Sequence, residues 1–220
     1  MKYLTKLCNK YETDKGTEFG SAHGFSEFYD FFFRNFEYPR ILEIGVGNGG
    51  FEKAVNEYYD GNCEIYCIDI RDCSEFFEGY ENIHFIQCDC GVEEKVKEVV
   101  SNLLKSGKFN VVIEDGSHFW NHQFISLLYF RRLVKKGGYF ILEDLHTSYE
   151  NAFSQGSNVN ETPLQFVSTL LPCSFYTSAE NREIQDSIDS CVLYSRNNEK
   201  RDSGRNTLFD RSVTAILKIK

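Results

Sequence analysis

Proline is scarce in this chain, with three residues in 220, and methionine and tryptophan occur once each. So few prolines leave the elements uninterrupted, and no low-complexity tract or internal repeat breaks the pattern, which excludes a linker-like or solenoid architecture. Long hydrophobic runs are also missing. A membrane-spanning helix needs about 20 apolar residues in a row, so none is expected. The opening MKYLTKLCNKYETDK carries charge every few positions, unlike a signal peptide; the mature chain is therefore expected to start near Met1 and to work in the cytoplasm. Basic charge is in deficit as well: 24 Lys plus Arg stand against 33 Asp plus Glu, a formal charge of −9. Phosphate-tracking proteins need a net basic face, so neither nucleic acid nor an anionic membrane is an expected partner. Eight cysteines are present, but no CxxC pair and no zinc-finger spacing to histidine, so reduced thiols are expected rather than disulfides or structural zinc.

What the chain does have is core material, with 41% hydrophobic residues, 20 Phe and 13 Tyr. The length suits a single domain, read as an N-terminal helical cap over 1–38 and a main domain over 39–220. In the cap, Leu4, Leu7, Cys8 and Tyr11 recur at helical spacing, and an aromatic helix runs through Phe25, Phe28, Tyr29, Phe32 and Phe36 until Pro39. That aromatic face suits packing on a sheet or in a homo-oligomer.

From residue 40 short apolar runs alternate with amphipathic helices. Strands are expected at 40–44, 63–68, 83–87, 109–113 and 139–142. Helices are expected at 51–59, from 92 to Gly107, and at 121–134 with KKGG closing the last. Such alternation implies an α/β fold, a doubly wound, mostly parallel sheet with helices on both faces. Thr162, Pro163 and Gln165 form an N-cap, N1 and N3 set for a helix through Leu171. SCVLYS and SVTAILKIK follow as an antiparallel edge hairpin around RNNEKRDSGRN, which brings the sheet to seven strands.

In such sheets ligands bind beyond the carboxyl ends of the strands. The first strand ends in Glu43 and a loop containing Gly45, Gly47, Gly49 and Gly50, the second in Asp69 and the third in Asp89. The fourth ends in Asp115 and His118, and the fifth in Glu143 and Asp144. Glycines there let the backbone approach a nucleotide at a helix N-terminus, and Asp69 suits a ribose diol. Gly45, Gly47 and Gly50 also satisfy the GxGxxG spacing of nicotinamide enzymes, so an NAD-dependent oxidoreductase is the competing reading. Asp115, Glu143 and Asp144 are expected to converge, and a hard divalent cation would relieve their repulsion. His118 follows at the start of a helix, where an imidazole can take a proton near neutral pH. His122 reads as structural. His23 and His146 are loop residues.

Together with Glu43, the glycines give ExGxGxG, the form seen in S-adenosylmethionine methyltransferases. In order, TDKGTEFGSAHGFSEFYDFFF, ILEIGVGNGG, IYCIDI, VVIEDGSHFWNHQ and YFILEDLHTSY resemble the metal-dependent sugar O-methyltransferases of macrolide antibiotic biosynthesis, the mycinamicin and tylosin type, and their bacterial relatives near surface-polysaccharide genes. The resemblance covers about residues 10–150. It implies that Glu43, Gly45, Gly47, Gly49 and Asp69 bind S-adenosylmethionine, with Asp89 meeting the adenine amino group and Lys15 of the Thr13–Gly16 TDKG loop closing over cofactor or substrate. It further implies that Asp115, Glu143 and Asp144 bind magnesium and that His118 is the base that deprotonates a sugar or glycoconjugate hydroxyl. A nitrogen or phosphate-linked acceptor remains the alternative within the same chemistry. The polar segment LHTSYENAFSQGSNVNE is expected to be a structureless lid over the acceptor, with Tyr149 stacking on a sugar or packing on a helix.

Overall fold

The computed structural model describes residues 3–154, 161–170, 179–197 and 211–220. Its strands are β1 Arg40–Ile44, β2 Glu64–Asp69, β3 Ile83–Gln87, β4 Phe109–Glu114, β5 Val134–Leu142, β6 Ile188–Asn197 and β7 Arg211–Ile219. They form one sheet in the order β3-β2-β1-β4-β5-β7-β6. The first five run parallel, whereas β7 is antiparallel to both β5 and β6. The order reverses between β1 and β4, so their carboxyl ends diverge into a crevice.

Among the described residues seven α-helices flank the sheet: α1 Leu4–Lys10, α2 Phe25–Phe33, α3 Gly50–Tyr58, α4 Glu93–Ser106, α5 Trp120–Phe130, α6 Pro163–Thr169 and α7 Ala179–Ser187. Strand alternation divides the core in two. Leu42, Ile44, Val112, Phe140 and Leu142 face α4, α5 and α6 through Val96, Leu103, Leu127, Phe130 and Phe166. Ile41, Val111, Ile113 and Ile141 face α1, α2 and α3 through Leu4, Phe25, Tyr29, Phe33, Phe51 and Val55. Phe25, Tyr29 and Phe33 repeat every four residues and so bury one stripe of α2, leaving Phe31 62% exposed on the other side. The aromatic helix thus packs on the sheet, in one cluster with α3.

Two local expectations change. KKGG does not close a helix: α5 ends at Phe130, Val134 already pairs with Phe109, and pairing resumes only at Tyr139 opposite Val111. The four residues between form a bulge, where Gly137 takes φ +77 and a side chain at Gly138 would strike the Asn110 carbonyl. The expected lid is not structureless either. Residues 145–154 form two short 3₁₀ turns with Leu145, His146, Thr147 and Ser148 buried. Thr147 and Ser148 are bonded locally: Thr147 Oγ1 donates to the Asp144 carbonyl at 2.8 Å, Trp120 Nε1 to the Thr147 carbonyl at 3.2 Å, and the Leu164 amide to Ser148 Oγ at 3.1 Å. Tyr149 is exposed, not packed on a helix. The capping set at Thr162 is present, with the Gln165 amide donating to Thr162 Oγ1 and the Thr162 amide to Gln165 Oε1. Residues 155–160 of the lid, Leu171, Cys173 and residues 198–206 of the hairpin loop lie outside the described residues. Among the described residues the cysteines are free, and no helix is long and apolar enough to cross a membrane.

Candidate active site

At the crevice a cavity of about 610 Å³ is lined by Ile44, Gly45, Gly47, Asp69, Asp89 and Asp115, and reaches His118 and Asp144. A smaller one of about 210 Å³ shares Gly45, Gly47 and Asp115 with it and lies under the Thr13–Lys15 loop. The glycine loop makes room for both. Gly45 has φ +92, and a Cβ on it would fall 1.9 Å from the Asp115 carbonyl oxygen, so only glycine lets β1 and β4 end this close together. Gly49 has φ +73 and starts α3, while Gly47 faces open space.

Asp69 closes the loop from the β2 side. Its Oδ2 accepts the Val46 amide at 3.0 Å, and its Oδ1 accepts the Arg71 amide at 2.9 Å. Burial pushes its carboxyl up, but the Arg71 guanidinium and these amides prevail and hold it below the usual range. Arg71 is exposed and also donates to the Gly47 carbonyl at 3.1 Å, so it covers the acid from outside. Asp89 accepts the Gly91 amide at 2.9 Å on the far wall. Beside it is His122, whose Nδ1 is 2.7 Å from Ser117 Oγ, so this histidine lines the cavity as well as packing against Gly91.

At the other end three donors meet. Ligand atoms of Asp115, His118 and Asp144 all lie within 4.8 Å of one another. His118 Nε2 is 3.5 Å from Asp144 Oδ2. Both His118 and Asp144 hold positive φ, +60 and +54, although neither is glycine. Strain of this kind persists where packing enforces it and clusters at functional sites. Asp144 Oδ1 is buried without a hydrogen-bond partner, with His146 Nδ1 at 3.7 Å and His23 Nδ1 at 3.9 Å, so both of these buried histidines pack against this acid. Burial pushes the Asp144 carboxyl up, but His23, His118, His146 and Lys15 hold it below its ordinary value. Two carboxylates, one of them with an orphaned buried oxygen, and one imidazole are a donor set that fits a divalent cation.

Glu143 does not join them. β5 ends at Leu142: Glu143 keeps the face of Ile141 and turns toward α2, whereas at Asp144 the backbone takes φ +54 and leads the side chain into the cleft. Glu143 Oε1 accepts the Tyr29 hydroxyl at 2.6 Å, and its Oε2 accepts Lys15 Nζ at 3.0 Å. Lys15 is 2% exposed and also contacts Glu43 Oε1 at 3.3 Å and Asp115 Oδ2. Burial would depress its ammonium, but Asp115, Glu143 and Glu43 keep it charged and its pKa well above the usual.

Two further buried acids escape a reading of strand tips. Glu114 is the last residue of β4 and keeps the face of Val112, 1% exposed in the cavity wall, with burial pushing its pKa up to about 7. Glu52, in the first turn of α3, is 1% exposed and neither carboxyl oxygen has a hydrogen-bond partner. Burial pushes it from 4.5 up to about 8. The folded chain therefore holds this proton more tightly than the unfolded one, and the stability it contributes is full below pH 4.5 and lost as pH rises toward about 8. Glu52→Gln is expected to stabilise the protein at pH 8 by on the order of 2 kcal/mol, with the gain shrinking toward pH 5. Urea unfolding of both proteins at the two pH values checks this, and an equal gain at both would show that Glu52 does not titrate in this range.

The chain is 32% identical over 166 residues to mycinamicin VI 2''-O-methyltransferase of Micromonospora griseorubida, covering 72% of this chain and 40% of that protein. It is 30% identical over 191 residues to demethylmacrocin O-methyltransferase of Streptomyces fradiae, covering 83% of this chain and 46% of that protein. It thus spans less than half the length of these two relatives. Among solved structures, the MycE methyltransferase from the mycinamycin biosynthetic pathway, in complex with Mg, SAH and mycinamycin VI, matches with a TM-score of 0.75 at 25% identity, over 99% of this chain and 54% of that one. Residues 22–158, which carry the glycine loop, Asp69, Asp115, His118 and Asp144, match the model of the FtsJ-like methyltransferases, and the chain belongs to that family.

Proposed function

We propose that this protein is an S-adenosylmethionine-dependent, magnesium-assisted O-methyltransferase acting on a sugar hydroxyl of a glycoconjugate or its precursor. The observation that carries the reading is the Asp115, His118 and Asp144 group at one end of a cavity whose other end is walled by Asp69 and Asp89. Both named relatives are O-methyltransferases, and the MycE complex contains Mg and SAH. On this reading 39–220 form the methyltransferase domain, and 1–38 are a cap that supplies Lys15 and Tyr29.

Cofactor binding follows from the loop. Asp69 accepts the ribose hydroxyls once the exposed Arg71 side chain swings away, Asp89 accepts the adenine amine, and Gly45, Gly47 and Gly49 keep the backbone clear of the ligand. Glu43 and Lys15 act from beneath, since the Lys15 ammonium is already engaged by Glu43, Asp115 and Glu143. Asp115 and Asp144 hold the cation, which when bound polarises the acceptor hydroxyl and lowers its pKa. Glu143 adds to that set only where Lys15 releases it. His118 takes the hydroxyl proton on Nε2, and holding acceptor and methyl donor in line supplies much of the rate. Calorimetric titration with S-adenosylhomocysteine and with NAD tests the reading. S-adenosylhomocysteine is expected to bind and NAD not to, and tight binding of NAD alone would overturn it.

A further inference from the structure

Lys15 occupies an unusual position for a lysine. Its ammonium contacts Glu43, Asp115 and Glu143, and lies 5.3 Å from the centre of the Phe51 ring, with 2% of the residue exposed. Asp115 is shared: it contacts Lys15 and also belongs to the group with His118 and Asp144. Glu143 has both oxygens engaged, one by Tyr29 and one by Lys15. The backbone that delivers Lys15 is tied down by other bonds. The Ser26 amide donates to the Lys15 carbonyl at 2.9 Å, the Gly16 amide to the Thr13 carbonyl at 3.1 Å, and the Thr17 amide to Asn9 Oδ1 at 2.7 Å. A single positive charge is therefore held against Asp115, which belongs to the group that fits a divalent cation, and against Glu143 beside it, and two cations a few ångströms apart in a buried site repel strongly.

We propose that Lys15 is a built-in counter-ion that competes with a divalent cation for Asp115 and Glu143, so that metal entry loosens the loop carrying it. The inference rests on the metal-assisted reading above and adds a regulation of that same site. Mn2+ serves as the probe, its free concentration read by paramagnetic resonance in titrations of the wild-type chain and of Lys15→Met. Amide hydrogen exchange at Gly16 and Thr17 is followed with and without Mn2+. Lys15→Met is expected to bind Mn2+ about tenfold more tightly, because the repulsion is gone. In the wild type, Mn2+ is expected to speed exchange at both amides. Equal or weaker binding by the variant, or unchanged or slowed exchange in the wild type, overturns the proposal while leaving the metal site standing. Absence of Mn2+ binding in both proteins overturns the metal reading itself, and this inference with it. Should Lys15→Met fail to fold, Asn9→Ala removes the Asn9 bonds to Thr17 without touching the acids; tighter Mn2+ binding supports the proposal and unchanged binding overturns it.

Discussion

Asp115→Asn is expected to weaken Mg2+ or Mn2+ binding by about two orders of magnitude, because it removes one of the two carboxylates that define the cation seat. Asparagine keeps the volume of the side chain and leaves the backbone carbonyl beside Gly45 where it is. The affinity for S-adenosylhomocysteine is therefore expected to stay within about threefold, since that face of the residue is unchanged. Metal binding read by paramagnetic resonance and cofactor binding read by calorimetry separate the two effects. A parallel loss of both would mean that the substitution disturbs the β1 and β4 tips as a whole. His118→Ala divides the roles further. As a base, His118 can be removed with a loss of transfer of about 10²- to 10⁴-fold and little change in metal affinity. A collapse of metal affinity to the level of Asp115→Asn would instead make His118 a ligand, which its position within the same 4.8 Å group allows.

That open choice shows where the sequence stops being legible. The alternation of strands and helices, the sheet's antiparallel edge and the crowding of acids at the strand tips follow from local patterns: apolar runs that end in Gly or Asp, and helices closed by glycine. The direction of a side chain at a strand tip depends on strand alternation and on where the backbone leaves the strand, here at Asp144 with φ +54, and a list of tips ignores both. Glu143 and Asp144 are neighbours in sequence, yet one turns to Tyr29 and Lys15 and the other to His118. Glu114, the last residue of β4, keeps the face of the buried Val112, whereas Asp115 lies past the strand end and shares Lys15 with Glu143. Lys15 is harder to place, because its partners Glu43, Asp115 and Glu143 come from three strands and no local pattern joins them. Polarity misled at 145–154, where hydroxyls that read as a solvated lid are spent on nearby carbonyls and amides. The bulge in β5 misled for a related reason: two glycines end a helix pattern and permit a strand irregularity equally well.

The glycine loop offers the second large effect, and two of its members should behave differently. At Gly45 an added Cβ would meet the Asp115 carbonyl oxygen at 1.9 Å and its carbonyl carbon at 2.6 Å, both backbone atoms that no rotamer change can move. The residue also has φ +92, which L side chains resist. Gly45→Ala must therefore push the ends of β1 and β4 apart, at a cost of roughly 3 kcal/mol or more. Because Glu43 and Asp115 flank that contact, the distortion reaches both the cofactor loop and the cation seat. S-adenosylhomocysteine and Mn2+ affinities are expected to fall together. At Gly47 the backbone also has positive φ, +58, but nothing lies within 4 Å of an added Cβ. Gly47→Ala carries only the left-handed penalty, about 1 kcal/mol, and leaves the strand tips in place. Its methyl would project into the cavity where the nucleotide is proposed to lie. It is therefore expected to cost cofactor affinity while sparing Mn2+ binding. Urea unfolding and the two titrations on both variants test the pair. Cofactor affinity unchanged in Gly47→Ala would remove the loop from the binding site, and a Gly45→Ala protein as stable as wild type would show that the two strand tips separate without cost.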